Sequence, residues 1–261
     1  METKVKILTL YFLTLATVSY SQSSEWKGKS CAVVLTYDDA LNVHLDNVIP
    51  ALDSLGLKGT FYLSAYFPGS KNRIADWRKA ALHGHELGNH TLFHPCLGKP
   101  TGRSWVSAEQ TLENYSMTRL LNEIRMTNVF LEAIDGKTKR TFAYPCGDMT
   151  IGDSSYVDKI KKDFVAARGV KSEMLTTRTI DYYNVGAFSV NGQTGQQLIE
   201  IVKEAMKKNA LVVFLFHGVG GEHGLNVELK AHRQLVHFLK EHEKEIWTTT
   251  FLDATEHMNK K

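Results

Sequence analysis

An α/β fold, with a mainly parallel sheet either open or closed into a barrel, is predicted by two features of this chain. Eight short apolar or β-branched runs alternate with longer stretches whose apolar residues recur three and four apart, as strands alternate with covering helices. The residues best suited to chemistry stand just beyond several of those runs, and in parallel α/β folds the carboxyl ends of the strands form the face where ligands bind.

The elements follow in order. A first strand, residues 31–36, carries Asp38 and Asp39 just past its end. A helical pattern at 43–55 leads to a strand at 59–63, and a third short strand at 86–89 is followed by His90 and His94. Residues 108–134, with Leu120, Leu121, Ile124 and Phe130, read as one long helix whose apolar stripe covers the sheet. The strand at 141–144 runs into Pro145, Cys146 and Gly147, and the helix at 156–162 precedes a strand at 164–167 that ends at Arg168. A strand at 185–190, a helix at 196–208 and a strand at 210–216 deliver His217. A helix at 229–241 and a strand at 245–250 complete the pattern.

The chain has 261 residues and no internal repeat or Pro/Gly/Ser-rich linker, which suits one domain from residue 25 to 261. Lys4 and Lys6 precede an apolar stretch at 7–18, and Ser19-Tyr20-Ser21 offers small residues where a signal peptidase reads. Residues 1–21 are therefore read as a signal peptide, because the apolar run falls short of the ~20 residues that span a bilayer. That reading predicts a secreted protein, periplasmic or extracellular, with no stable membrane insertion after cleavage. The segment carries Lys4 and Lys6 against Glu2, so its removal lowers the formal charge from +3 to +2. Such near-neutrality gives no argument for a nucleic-acid partner. Of the three cysteines, Cys31, Cys96 and Cys146, at least one stays unpaired within the chain, and spacing leaves the connectivity open.

Adjacent carboxylates answered by two histidines four apart can hold one divalent metal. One carboxylate and two imidazoles form a three-ligand set that leaves a coordination position open for water, and the other aspartate is then free to act as a base. Zinc is the default for such donors, and cobalt or nickel would accept them too.

Thr36-Tyr37-Asp38-Asp39-Ala40, His90-Thr91-Leu92-Phe93-His94-Pro95, Tyr144-Pro145-Cys146-Gly147 and Leu211 through His217 resemble, in that order, four of the five signature motifs of the polysaccharide deacetylases, carbohydrate esterase family four. The resemblance implies a distorted (β/α) barrel of about seven parallel strands and metal-assisted removal of acetyl groups from sugars. By motif position it implies Asp39, His90 and His94 as metal ligands, Asp38 as general base and His217 as general acid. It also implies the backbone amide of Cys146 as a hydrogen-bond donor to the carbonyl oxygen.

This chain departs from the pattern in three places. Ala40 stands where many members have glycine. The arginine that usually precedes the third motif is missing: Arg140 lies five residues before Pro145, roughly 16 Å down a strand at ~3.3 Å per residue. Arg168, at the end of its own strand, is the better placed substitute for holding Asp38. No clear fourth motif is present, and Asp181 is a weak candidate for its aspartate. Among other residues, His83 and His85 read as helix-end and surface histidines, and Trp77 and Trp105 as packing residues rather than sugar platforms. Gly218, Gly220, Gly221 and Gly224 lack the lysine and spacing of a phosphate loop and read as a flexible rim.

The reading is thus a metal-dependent carbohydrate deacetylase acting on N-acetylated sugars of a polysaccharide or oligosaccharide. An O-acetyl esterase on xylan-like or other polysaccharides is the nearest alternative, since the same base and acid serve either carbonyl. A non-catalytic, metal-containing carbohydrate-binding protein is a third, motivated by the missing fourth motif and the displaced arginine.

Overall fold

The computed structural model describes residues 25–260; the segment read as a signal peptide lies outside them. The strands of the main sheet are β1 (Cys31–Asp38), β2 (Thr60–Leu63), β3 (Glu86–Asn89), β4 (Thr141–Ala143), β5 (Ala166–Arg168), β6 (Phe188–Ser189), β7 (Leu211–Phe216) and β8 (Ile246–Thr249). Seven of them lie in the order β5-β4-β3-β2-β1-β7-β6, and every pairing is parallel. The eighth, β8, shares an edge of β1 with β2: it pairs Cys31 to Val34, while β2 pairs Thr36 to Asp38. The ring closes irregularly. Val185 donates to the Ala167 carbonyl (2.9 Å) and Gly169 to the Val185 carbonyl (2.8 Å), before the same segment joins β7 as β6. The fold is therefore the distorted (β/α) barrel the resemblance implied.

All eight residues of β1 are buried, as expected of a central parallel strand covered on both faces. Side chains alternate along a strand. Val33, Leu35 and Tyr37 pack outward with Leu198 and Val202 of α4 (Gly195–Lys208) and Leu235 and Leu239 of α5 (Leu229–Glu241). Ala32 and Val34 face the barrel interior with Ala143, Ala166, Val213 and Leu215. Two residues further along the interior rows stand Asp38 after Thr36, and Arg168 after Ala166, so the same periodicity points both into the top of the barrel.

The helix at the start of the chain begins as a π-turn, His44–Val48, and continues as α1 (Ile49–Ser54). The expected helix at 108–134 is shorter: α3 spans Met117–Asp135, with Ser116 capping its N-terminus (3.1 Å to the Arg119 N–H) and Gly136 ending it at φ 70°. Residues 108–115 are kept out of the α-helix, with only a 3-10 turn at Leu112–Asn114, because Gln110 and Leu112 exchange backbone hydrogen bonds with Cys96 (3.2 and 2.9 Å). Besides the one-turn helix Pro68–Lys71, two helices have no counterpart in the sequence reading. One is α2 (Ile74–Leu82), which buries Trp77, and the other is α6 (Phe251–Asn259). The latter starts where Thr250 caps the Asp253 N–H (3.2 Å), so the last strand ends at Thr249 rather than running through 250. Phe251, Ala254 and Met258 of α6 close the amino end of the barrel. No helix among the described residues is long and apolar enough to cross a membrane.

Candidate active site

The opposite rim gathers the predicted residues. β1 ends in two consecutive left-handed residues, Asp39 (φ 75°) and Ala40 (φ 52°), and the Asp39 N–H is anchored on the Tyr62 carbonyl (3.1 Å). Thr91, His94 and Cys146 also have positive φ, so five of the eight non-glycine residues in this state among the described residues surround the site. Each such residue stores strain of order 1–3 kcal/mol, and such strain clusters where function requires a geometry. Gly69 packs directly against this turn, and a Cβ there would lie 1.8 Å from the Ala40 carbonyl oxygen.

Asp39 Oδ1 lies 3.4 Å from His94 Nε2 and 3.6 Å from His90 Nε2. Donor atoms bonded at 2.0–2.1 Å around a tetrahedral centre would be ~3.3 Å apart, so these three side chains fit one divalent cation. His90 donates Nδ1–H to the Ala143 carbonyl (2.8 Å), which turns the Nε2 lone pair toward Asp39, an arrangement usual for metal-ligating histidines. Burial, opposed by the neighbouring carboxylates, lowers the His90 pKa to about 4, leaving a neutral imidazole ready to ligate. Burial would raise Asp39, but His94 and then His90 and His217 outweigh it and bring it to about 2. Its Oδ1 is buried and has no hydrogen-bond partner among the described residues, as expected of an oxygen reserved for a cation.

Asp38 is held separately. Its Oδ2 is paired with the guanidinium of Arg168, whose side chain is wholly buried and also donates to the Gly169 carbonyl (3.0 Å). Burial raises the Asp38 pKa, and Arg168, His90 and His217 together lower it further, so the net shift is downward. Arg140 is elsewhere, paired with Asp135.

His217 follows β7, and its carbonyl accepts from His44 Nε2 (2.8 Å). Its own Nε2 lies 3.9 Å from Asp39 Oδ2, while its Nδ1 is buried and unpartnered among the described residues. Burial is the main force lowering its pKa, against the pull of Asp38 and Asp39. Asp181 does not serve it: that carboxylate caps the Tyr183 N–H (2.9 Å).

Sequence reasoning missed His223. Its Nε2 lies 3.8 Å from Asp39 Oδ2, and its ring stacks on His217 at 4.7 Å and 13°. The glycine-bearing loop is not loose there, because the Glu222 carboxylate accepts from the Val43 N–H (2.7 Å) and Asn42 Nδ2 (2.6 Å) just beyond the aspartates. A histidine six residues after His217, in a loop of glycines, was the available signal.

Cys146 occupies a tight turn in which Gly147 and Asp148 donate to the Tyr144 and Pro145 carbonyls (both 3.0 Å), leaving the Cys146 N–H outside the turn's own hydrogen bonds. Its sulfur is joined to Cys96, two residues from His94, and Cys31 is free and buried. His83 and His85 both bind Asp53 (2.6 and 3.2 Å), Trp77 is core, and Trp105 is exposed.

The family model of the polysaccharide deacetylases matches residues 27–163, which holds Asp38, Asp39, His90, His94 and Cys146. This chain belongs to the polysaccharide deacetylase family. Among its relatives is the uncharacterized protein YlxY of Bacillus subtilis (strain 168), 27% identical over 141 residues, 54% of this chain and 36% of YlxY. The chain thus matches about a third of that protein's length. In fold it is similar to a candidate polysaccharide deacetylase of Mycobacterium smegmatis, with a TM-score of 0.64, 14% identity and coverage of 89% and 91% of the two chains. It is also similar to a family 4 acetyl xylan esterase of Clostridium thermocellum in complex with a cobalt ion, with a TM-score of 0.58, 18% identity and coverage of 86% and 90%. These solved structures share the barrel, and Arg168 and His217 of this chain lie beyond the segment that the family model matches.

Proposed function

We propose that this deacetylase is a secreted, divalent-metal-dependent hydrolase that removes acetyl groups from N-acetylated sugars of a polysaccharide or oligosaccharide. The observation that carries this reading is the separation of two aspartates into two roles. Asp39 faces His90 and His94 with an unpartnered oxygen, while Asp38 is paired with Arg168.

Asp39, His90 and His94 would hold the metal, which when bound lowers the pKa of a water to about 7 and polarises the acetyl carbonyl. Asp38 takes the proton of the attacking water. Arg168 keeps that carboxylate ionised and oriented. The Cys146 N–H donates to the carbonyl oxygen as negative charge develops on it. His217 then donates a proton to the departing amine, so that acetate and a free amino sugar result. The unpartnered Nδ1 of His217 favours a second reading, an O-acetyl esterase, since an alkoxide needs less help from an acid than an amine does. The similarity to an acetyl xylan esterase supports the same alternative.

Acetate release from matched N- and O-acetylated oligosaccharides, with zinc-, cobalt- or nickel-loaded protein, separates the two. Asp38→Asn is expected to lower turnover about 10²–10⁴-fold, the usual contribution of a general base. Glycan binding without acetate release, unchanged by that substitution, would instead favour a carbohydrate-binding protein.

A further inference from the structure

His94 faces two sets of donors. Its Nε2 looks toward Asp39, while its Nδ1 lies 3.6 Å from the sulfur of Cys96. Where His90 gives its second nitrogen to a carbonyl, His94 thus has a disulfide. One ring nitrogen of His94 and the sulfurs of Cys96 and Cys146 all lie within 4.8 Å of one another. Around a tetrahedral zinc with bonds of about 2.3 Å to sulfur and 2.0–2.1 Å to nitrogen, such atoms would stand ~3.5 Å apart.

The two cysteine segments are also tied together by bonds that do not need the disulfide. The Asp148 carboxylate accepts from the Leu97 N–H (2.8 Å) and from Arg103 (2.5 Å), and Arg103 reaches the Cys146 carbonyl as well (3.1 Å). Cys96 is further held in its bridge with Thr111. Breaking the S–S bond therefore leaves both thiols beside His94.

We propose that reduction of Cys96–Cys146 creates a second metal site, in which the two cysteine thiolates and His94 bind zinc or another thiolate-preferring divalent ion. Because His94 is shared, the state of the disulfide decides which donor set it serves, and the reduced protein holds its metal away from Asp39 and His90. The chemistry balances simply. A dithiol gives two electrons and two protons to the S–S bond and closes its own disulfide; each protein thiol then loses its proton on binding the metal. Thiolates select such ions over magnesium or calcium. Cys31 does not compete, since it is buried and burial lifts its thiol to about 12.

The test does not depend on whether the chain hydrolyses acetyl groups. Protein reduced with dithiothreitol and desalted anaerobically is titrated with cobalt(II). A thiolate-to-cobalt charge-transfer band in the near ultraviolet is expected, absent from the oxidised protein and from reduced Cys96→Ser. Zinc should also slow alkylation of Cys96 and Cys146 in the reduced wild-type protein at least tenfold, read by peptide mass spectrometry. No band, alkylation indifferent to zinc, or loss of the folded circular dichroism spectrum on reduction would each overturn the proposal. A thiolate-to-cobalt band that develops at the same cobalt concentration in reduced His94→Asn as in the reduced wild-type protein would overturn the sharing of His94.

Discussion

The two ends of the barrel both bury carboxylates and treat them in opposite ways. At the amino end, Glu86 is fully engaged by neutral donors: the hydroxyls of Thr60 (2.8 Å) and Thr141, and the Leu252 N–H (2.8 Å) at the start of α6. Burial raises its pKa, since hydrogen bonds alone do not offset the cost of a desolvated charge. At the carboxyl rim, Asp38 and Asp39 are surrounded by Arg168 and imidazoles and lie below their usual values. Each keeps one buried oxygen without a partner among the described residues. The base of the barrel satisfies both Glu86 oxygens internally, whereas the rim combines left-handed residues with open carboxylate oxygens. A fold tolerates such local violations where a ligand completes them.

The comparison is most easily broken through the ion pair. Arg168→Met strands a buried carboxylate and is expected to cost about 3–5 kcal/mol in urea unfolding, together with most of the activity. Glu86→Gln leaves a donor facing donors, which costs about 1–3 kcal/mol, and should leave metal binding and turnover nearly intact. An Arg168 variant no less stable than the Glu86 variant would erase the distinction between rim and base.

Zinc or cobalt added to metal-free protein at about a hundred times Kd should stabilise it by ~2.7 kcal/mol. That gain should vanish in Asp39→Asn and survive in Glu86→Gln. A gain that persists without Asp39 would place the metal elsewhere.

Acid should act on buried histidines in one direction. Burial lowers His44 and His85 to about 4 and His232 to about 3, from an unfolded value of 6.5. Below 6.5 the unfolded chain binds protons that the folded chain refuses, so their contribution is complete above about 6.5 and is lost as pH falls through to about 3. Glu86, with a raised pKa, has the opposite sign: its contribution is present below 4.5 and is lost as pH rises. Melting temperatures across this range should fall with acid, and His232→Phe should flatten the slope. A slope unchanged by that substitution would remove His232 from the account.

The smallest effect concerns the strained turn. Ala40→Gly relieves a left-handed alanine and is expected to stabilise the protein by up to about 1 kcal/mol. A loss of stability in thermal melting would mean that the turn is not strained.

Much of this could be read from the chain because the relevant information is local. The strand-and-helix alternation, the double aspartate after β1 and the paired histidines after β3 each depend on short stretches whose periodicity fixes which side chains share a rim. Even Arg168 is marked out by its place at a strand end. The tertiary structure alone decided the rest, since it depends on contacts between distant segments. It shortened α3 through the bridge of Cys96 to residues 110–112, paired Cys96 with Cys146 and left Cys31 in the core. It brought Arg168 across 130 residues to Asp38, and pinned the loop through Glu222 so that His223 lies over His217. Periodicity can state which way a side chain points. Only closure of the barrel, through the bridge between Arg168 and Val185, determines what it meets there.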